Sequence, residues 1–355
     1  MSEADDLDVA TMALRVWTFR QGLMVSTMLH LGERLGLFAA MAGRGAMTAA
    51  DVSGATDLDE RWCLEWLRCM AAADIVTSGD GTLFVLGDAA AEVLVAGSGS
   101  LFCAAGATAA PPDPAVIDVI AGSFESGRGV PYDAHGPEGA HQVDATLAPW
   151  ARHGIVTELL PRIDGLVDRL DQGCRVADVG CGAATLLAVL AETFPRSTFV
   201  GSDPSAHALE LASDRMDSEA LSNVSLHREP AEDLSRHGSF DVVLTFDCLH
   251  DMAFPDRAAA AIGDSLGDDG TWLIKEIRTS GDFAVDRKNP LLAMLYATSV
   301  MTCMSSALSE EGGAGLGTLG LPPSGVADLV GAAGFDTVVV HDFGDPANLY
   351  YEVRR

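Results

Sequence analysis

The chain has 355 residues, enough for two domains that each bury a core of their own. It carries 22 Lys and Arg against 51 Asp and Glu, a formal charge of −29 spread along its length, and such a field opposes binding to nucleic acid and to anionic membranes. No apolar run reaches the roughly 18 residues that a bilayer span needs, and seven cysteines, odd in number and without a Cys-x-x-Cys pair, point to a reducing cytoplasm and away from a disulfide framework.

Met1–Asp6 is acidic where a signal peptide is basic, and reads as a frayed leader. Residues 9–40 form one or two helices that are apolar on most sides, so the segment needs cover from its own chain or from a second copy. Residues 48–86 follow with a winged-helix pattern. Thr48 caps a helix, Glu60–Ala73 is the next, and Ile75–Thr77 and Thr82–Leu86 flank the hairpin signal Gly79-Asp80-Gly81. A DNA reader needs a basic face; here Arg61 and Arg68 stand against Glu60, Glu65 and Asp80, so dimerisation and covering a substrate are the expected roles.

Residues 97–150 read as a linker and a helical lid. Within its polar island, Tyr132 and His135 are pocket-lining candidates or ordinary loop residues, and Trp150 opens the apolar stretch that leads to the next domain. Asp133, His135 and His141 fit no established metal spacing and no cysteine accompanies them, so no metal is expected.

The most informative stretch comes next. Arg175–Val179 is a short β-branched run ending in Asp178-Val179-Gly180-Cys181-Gly182, and a helical apolar pattern begins almost at once. That is a strand, a tight glycine turn and a helix N-terminus, the opening of an open α/β site for a ligand bearing a carboxylate or phosphate. A dinucleotide fingerprint wants a third glycine where Thr185 stands, which weakens that reading. A second strand closes at Asp203-Pro204, a third is Asn223–His227, and Ala231-Glu232-Asp233 follows it. The fourth strand, Phe240–Asp247, runs into Leu249-His250-Asp251, and the fifth is Gly270–Ile277. Strand and helix alternate through 174–277, which implies a parallel sheet with right-handed crossovers and a ligand at the strand C-termini, so Phe246, Asp247 and His250 border the pocket. Residues 289–308 add a helix rich in soft side chains, Met301 among them. Gly315–Gly320 matches Gly-x-Gly-x-x-Gly literally but follows a helix and runs into prolines, and is expected to be a mobile loop. A last helix and an antiparallel pair, Thr337–His341 with Asn348–Val353, close the chain.

In order and motifs the chain resembles class I S-adenosylmethionine (SAM)-dependent methyltransferases with an N-terminal winged-helix domain, of the actinobacterial and in particular mycobacterial small-molecule type, from about residue 15 to the end. The resemblance implies a Rossmann-like α/β sheet, mostly parallel with an antiparallel last strand, and the domains 1–96, 97–150 and 151–355 with an insertion at about 281–322. It implies SAM as cofactor and S-adenosylhomocysteine as product, held by Asp178, Gly180, Cys181, Gly182, Asp203, Pro204, Ala231, Glu232, Phe246 and Asp247. Where the family commonly carries an adenine-binding aspartate this chain has Pro230, which leaves Glu232, Asp233 or backbone for that contact. In similar small-molecule O-methyltransferases a general-base histidine sits in a Leu-His-Asp segment after strand four; Leu249-His250-Asp251 matches it, with Asp251 or Asp247 to orient the ring. His250 is either that base or a helix-start residue that caps the turn or hydrogen-bonds SAM. The expected substrate pocket comprises Tyr132, His135, Trp150 and Met301, for a small-molecule acceptor offering O, N or C, in secondary metabolism. The expected assembly is a cytoplasmic homodimer. A SAM-binding winged-helix regulator and a related fold with non-methyl chemistry are the alternatives.

Overall fold

The computed structural model describes residues 8–95, 97 and 110–355. The acidic leader and residues 98–109 of the expected linker lie outside the described residues. The chain divides into two compact units, residues 1–112 with 145–153, and residues 113–144 with 154–355. The segment expected as linker and lid is therefore shared: its middle groups with the sheet and its end with the N-terminal unit.

The N-terminal unit begins with α1 (Val9–Arg34), which Asp8 caps by accepting from the Thr11 amide. Leu35-Gly36 ends it, Gly36 being left-handed at φ 69°, and α2 (Leu37–Met41) turns back. Then come β1 (Ala46–Met47), α3 (Ala49–Thr56), α4 (Glu60–Ala72), β2 (Phe84–Val85) and α5 (Asp88–Leu94). Thr48 and Asp51 form a reciprocal capping box on α3, and Asp59 caps α4. α4 buries Cys63, Trp66, Leu67 and Met70 on one face, whereas Trp62, expected among its apolar positions, points outward and is 79 % exposed. Trp66 packs edge-on against Phe38 and donates its indole N–H to the Met28 carbonyl, which fixes α1 and α2 on α4. The wing is smaller than the hairpin expected: Thr77 bridges Val85, and β2 pairs chiefly with β1, a two-residue strand whose sequence carries no strand signal.

The second unit contributes α6 (Pro114–Ser126) and a 3₁₀ turn, Tyr132–His135, that runs into α7 (Gly136–His153). After α8 (Leu166–Gln172) the sheet alternates with helices: β3 (Arg175–Val179), α9 (Thr185–Thr193), β4 (Thr198–Ser202), α10 (Ala206–Ser218), β5 (Val224–His227), β6 (Phe240–Phe246), α11 (Pro255–Ser265) and β7 (Leu266–Ile277). An insertion follows with α12 (Phe283–Asp286), α13 (Leu292–Thr298), a π turn at Ser299–Cys303 and α14 (Met304–Ala307); α15 (Pro323–Ala332), β8 (Thr337–His341) and β9 (Asn348–Arg354) complete the chain. Spatial order is β5-β4-β3-β6-β7-β9-β8, parallel through β7 and antiparallel at β9 and β8. Strand order reverses between β3 and β6, which makes their C-terminal ends the switch point where such sheets bind ligands. Val179, Val243, Leu249, Trp272 and Tyr351 are fully buried in the core beneath it.

Candidate active site

The glycine turn is shaped by space as well as by dihedral angle. Gly180 has φ 75°, and a Cβ there would lie 2.8 Å from the Cβ of Cys248, whose thiol donates to the Val179 carbonyl. The ends of β3 and β6 are thereby clamped together with no room for a side chain between them. Ala184 takes a left-handed φ of 55° as the chain enters α9, where the helix amides are free to face a ligand.

Two acids line this turn. Asp178 is buried at the end of β3; burial, then repulsion from Asp203, pushes its pKa up to about 7. Asp203 is partly exposed after β4 and accepts from the Gly182 amide at 2.9 Å and the Ser205 amide at 2.8 Å, so it ties both turns together. Burial outweighs those two donors and holds its carboxyl above the usual range. Two desolvated carboxyls whose pKa values burial raises suit a ligand that brings positive charge.

A second cluster lies past the end of β6. His250 is buried, and its Nδ1 is hydrogen-bonded to Glu276 Oε2 at 2.5 Å; the other oxygen of Glu276 accepts from the Leu249 amide at 3.2 Å. The orienting carboxylate is thus Glu276 of β7, which corrects the expectation that Asp251 or Asp247 fills that part. The physical reason is register: Glu276 points inward from the neighbouring strand directly under the His250 turn. Burial opposes a charged imidazole here, yet Glu276 and the adjoining Cys303 and Asp251 hold its pKa well above the ordinary value. Asp247 sits at a left-handed φ of 54° and faces elsewhere, held by the buried Lys275 ammonium and, at 2.6 Å, by the Asn348 amide.

Cys303 of the π turn completes the cluster. Its sulfur takes the Tyr132 hydroxyl at 3.7 Å and lies beside His250. Burial works against a thiolate, but hydrogen bonds and charge from His250, with the Thr318 and Thr302 hydroxyls, bring the thiol down to about 7. Asp251 also meets the Tyr132 hydroxyl, and burial raises its pKa well above the carboxylate range. The loop Gly315–Gly320 packs into this cluster rather than moving freely: Gly317 donates to the His250 carbonyl, Ala314 to that of Ala253, and Thr318 is buried.

Residues 128–144 form a strap over these features. Gly129 lies against the Ser305 backbone and donates to the Leu308 carbonyl, while Val130 donates to the Ser305 hydroxyl. Asp133 accepts from Ser205 Oγ at 2.5 Å and from the Ala206 amide at 3.1 Å, at the start of α10. Asp144 accepts from Thr185 Oγ1 at 2.5 Å, at the start of α9, and pairs with Arg215 at 2.8 Å; Arg215 also donates to the Ala183 carbonyl of the glycine turn. Two carboxylates therefore staple the strap to the first turns of both helices that follow the ligand-binding strands.

The structure gathers Asp178, Gly180, Cys181, Gly182, Asp203 and Pro204 at one end of the sheet, and His250, Asp251 and Tyr132 beside it. Ala231 and Glu232 lie in a 3₁₀ turn after β5 that starts at Pro230, and Phe246 is half-buried at the end of β6. His135 rests 6.3 Å from the Tyr132 ring and meets the Met301 backbone. Trp150 groups with the N-terminal unit. Sequence reasoning missed Glu276, Cys303 as a partner of His250, and Asp144. For Glu276 a signal existed: a carboxylate inside the apolar run Trp272–Ile277 must find a partner when buried.

Residues 170–318 match the family of the methyltransferase domain, and residues 23–95 match the Rv2258c-like winged HTH domain. No curated protein is similar to the chain at the level of sequence. Among solved structures, human N-acetylserotonin methyltransferase in complex with SAM aligns with TM-score 0.68 and 18 % identity, over 100 % of this chain and 99 % of its own. A putative O-methyltransferase from Nostoc punctiforme aligns with TM-score 0.71 and 16 % identity over 98 % and 100 %. The N,N-8-amino-8-demethyl-D-riboflavin dimethyltransferase RosA from Streptomyces davawensis aligns with TM-score 0.59 and 21 % identity over 97 % and 99 %. At these identities the likeness carries the fold, over the full length of each chain.

Proposed function

We propose that this chain, which carries a methyltransferase domain behind a winged helix-turn-helix domain, methylates a hydroxyl of a small molecule with SAM. The observation that carries the hydroxyl is the buried His250–Glu276 pair at the switch point of the sheet. SAM supplies a sulfonium-bound methyl group. Its amino-acid end fits the turn at Asp178, Gly180, Cys181 and Gly182, and its ribose fits Asp203, whose oxygens each keep a second lone pair. Pro204, Ala231 and Glu232 bound the adenine end, and Phe246 the side facing the acceptor.

In its neutral form His250 takes the acceptor's proton, so transfer rises with pH through the raised pKa of the ring. Glu276 fixes the ring through Nδ1, so Nε2, which meets the Cys303 sulfur, is the nitrogen that takes the proton, and Glu276 stabilises the imidazolium that results. Tyr132 and Asp251 border the acceptor, with His135 and Met301 behind them, and the strap keeps water out while the reactants are held in line. We read the acceptor as a small molecule of secondary metabolism; two of the similar structures are named as methyltransferases of small molecules. We also read the chain as a cytoplasmic homodimer joined through α1, with the N-terminal domain serving assembly rather than DNA: α4 pairs Arg61 with Glu65 and shows no net basic face.

The test uses two variants and a hydroxylated acceptor found by product mass. Asp203→Ala should weaken SAM at least about tenfold, the loss of one charge-assisted bond of roughly 1.5–3 kcal/mol. His250→Ala should leave SAM affinity unchanged and slow transfer on the order of 10²–10⁴-fold. Full activity in His250→Ala would overturn the base assignment.

A further inference from the structure

We propose that the pocket around His250 also binds one soft divalent cation, zinc by its donor set, through His250, Asp251 and Cys303, and that this cation inhibits the enzyme. A ring nitrogen of His250, a carboxylate oxygen of Asp251 and the sulfur of Cys303 lie within 4.8 Å of one another, the one such trio among the described residues. The three come from two elements brought together by folding, the turn after β6 and the π turn of the insertion, so sequence spacing gives no sign of them.

The chemistry of the set is selective. One imidazole, one thiolate and one carboxylate suit zinc; magnesium and calcium prefer oxygen throughout. Zinc bonds of about 2.0–2.3 Å place tetrahedral ligands roughly 3.5 Å apart. The observed spread therefore closes by a shift of about 1 Å, within reach of side-chain rotation. The supporting shell is already built. Glu276 binds Nδ1 of His250 at 2.5 Å, the carboxylate–histidine arrangement that orients metal-binding imidazoles and leaves Nε2 for the metal. Two hydroxyls, of Tyr132 at 3.7 Å and Thr302 at 3.6 Å, support the sulfur. His250 and Cys303 are buried, and in such surroundings the Cys303 thiolate and the Asp251 carboxylate attract a dication strongly while the imidazole binds in its neutral form.

The site stands on ligand geometry and not on the reaction; its inhibitory effect rests on the reading of His250 as base. Nε2 cannot hold a metal and accept a proton together. A bound zinc ion thus removes the base while the glycine turn and Asp203, which do not belong to the trio, stay open to the cofactor.

The experiment titrates the full chain with Zn²⁺ in competition with a chromophoric chelator, and with Co²⁺ as a spectroscopic probe. One equivalent of zinc should bind, and the cobalt form should show a thiolate-to-metal charge-transfer band in the near ultraviolet. Cys303→Ala should abolish that band and weaken zinc at least tenfold, with SAM affinity as the control for folding. If Cys303→Ala does not fold, Cys303→Ser answers the same question. Zinc should stop methyl transfer and a chelator should restore it, with SAM affinity unchanged throughout. Absence of the cobalt band in the unsubstituted chain, or equal zinc affinity in the Cys303 variant, overturns the site. Transfer that continues with one zinc bound overturns the inhibition and leaves the site standing. Failure of the base reading is separate, since it appears in His250→Ala without any metal.

Discussion

At the residue scale the site turns on carboxyls whose charge is set by what lies beside them. Glu276→Gln keeps the shape of the bond to His250 and removes its charge. A hydrogen bond to a charged group contributes roughly 1.5–3 kcal/mol, so kcat should fall about ten- to a hundredfold while SAM affinity holds. Equal loss of SAM binding would show that Glu276 supports the fold and not the base. Asp178 gives a different readout. Its folded pKa, about 7, lies above its unfolded value of 3.8, so between those values the folded chain binds the extra proton. Stability from this group is complete at pH below about 4 and is lost as pH rises to about 7. Urea unfolding across that window should show Asp178→Asn gaining on the unsubstituted chain as pH rises; parallel curves would refute the assignment. Local chemistry is also what the sequence showed best. Gly180, Gly182 and Asp203 announce themselves because turn and acid lie close along the chain, and Leu249-His250-Asp251 because it ends a strand. Glu276 and Cys303 reach His250 only through sheet register and an insertion, which no local pattern encodes.

At the scale of elements the strap is the feature the sequence blurred. Residues 97–150 looked like linker and lid because Gly, Ala and Pro dominate their start; the polar residues that matter, Asp133 and Asp144, bond to the first turns of α10 and α9. Such partners are invisible before the fold brings them together. The antiparallel end of the sheet, by contrast, was plain, since two β-branched or aromatic runs flank the Gly344-Asp345-Pro346 turn. Asp144→Ala removes the bond from Thr185 and a half-buried pair with Arg215. The strap should then loosen at 136–144, raising amide exchange there. The cofactor product should leave about tenfold faster, as expected for a loss of roughly 1.4 kcal/mol. Unchanged release in stopped flow would show that the strap does not hold the cofactor.

At the scale of the whole molecule, α1 carries the clearest demand for a second chain. Val9, Leu14, Trp17 and Phe19 are each at least 66 % exposed, on a helix with few charges. The sequence foretold an uncovered apolar segment here, though not that 9–34 would form one unbroken helix. Replacing Leu14 and Phe19 together with Glu should convert a homodimer to monomer in sedimentation at micromolar concentration, with SAM affinity kept. A monomer before substitution would end the proposal.

Tyr132 and Asp133 are neighbours in the chain, yet the first meets Cys303 and the second meets Ser205 at the start of α10. Neither residue can swing away without carrying the other, so one short piece of backbone ties the insertion to the start of α10. If the proposed cofactor and acceptor sites hold, the kinetic consequence is a compulsory order: cofactor enters before the strap closes, acceptor follows, and the demethylated cofactor leaves last. Initial-rate patterns should be those of an ordered sequential reaction, with S-adenosylhomocysteine competitive against SAM alone.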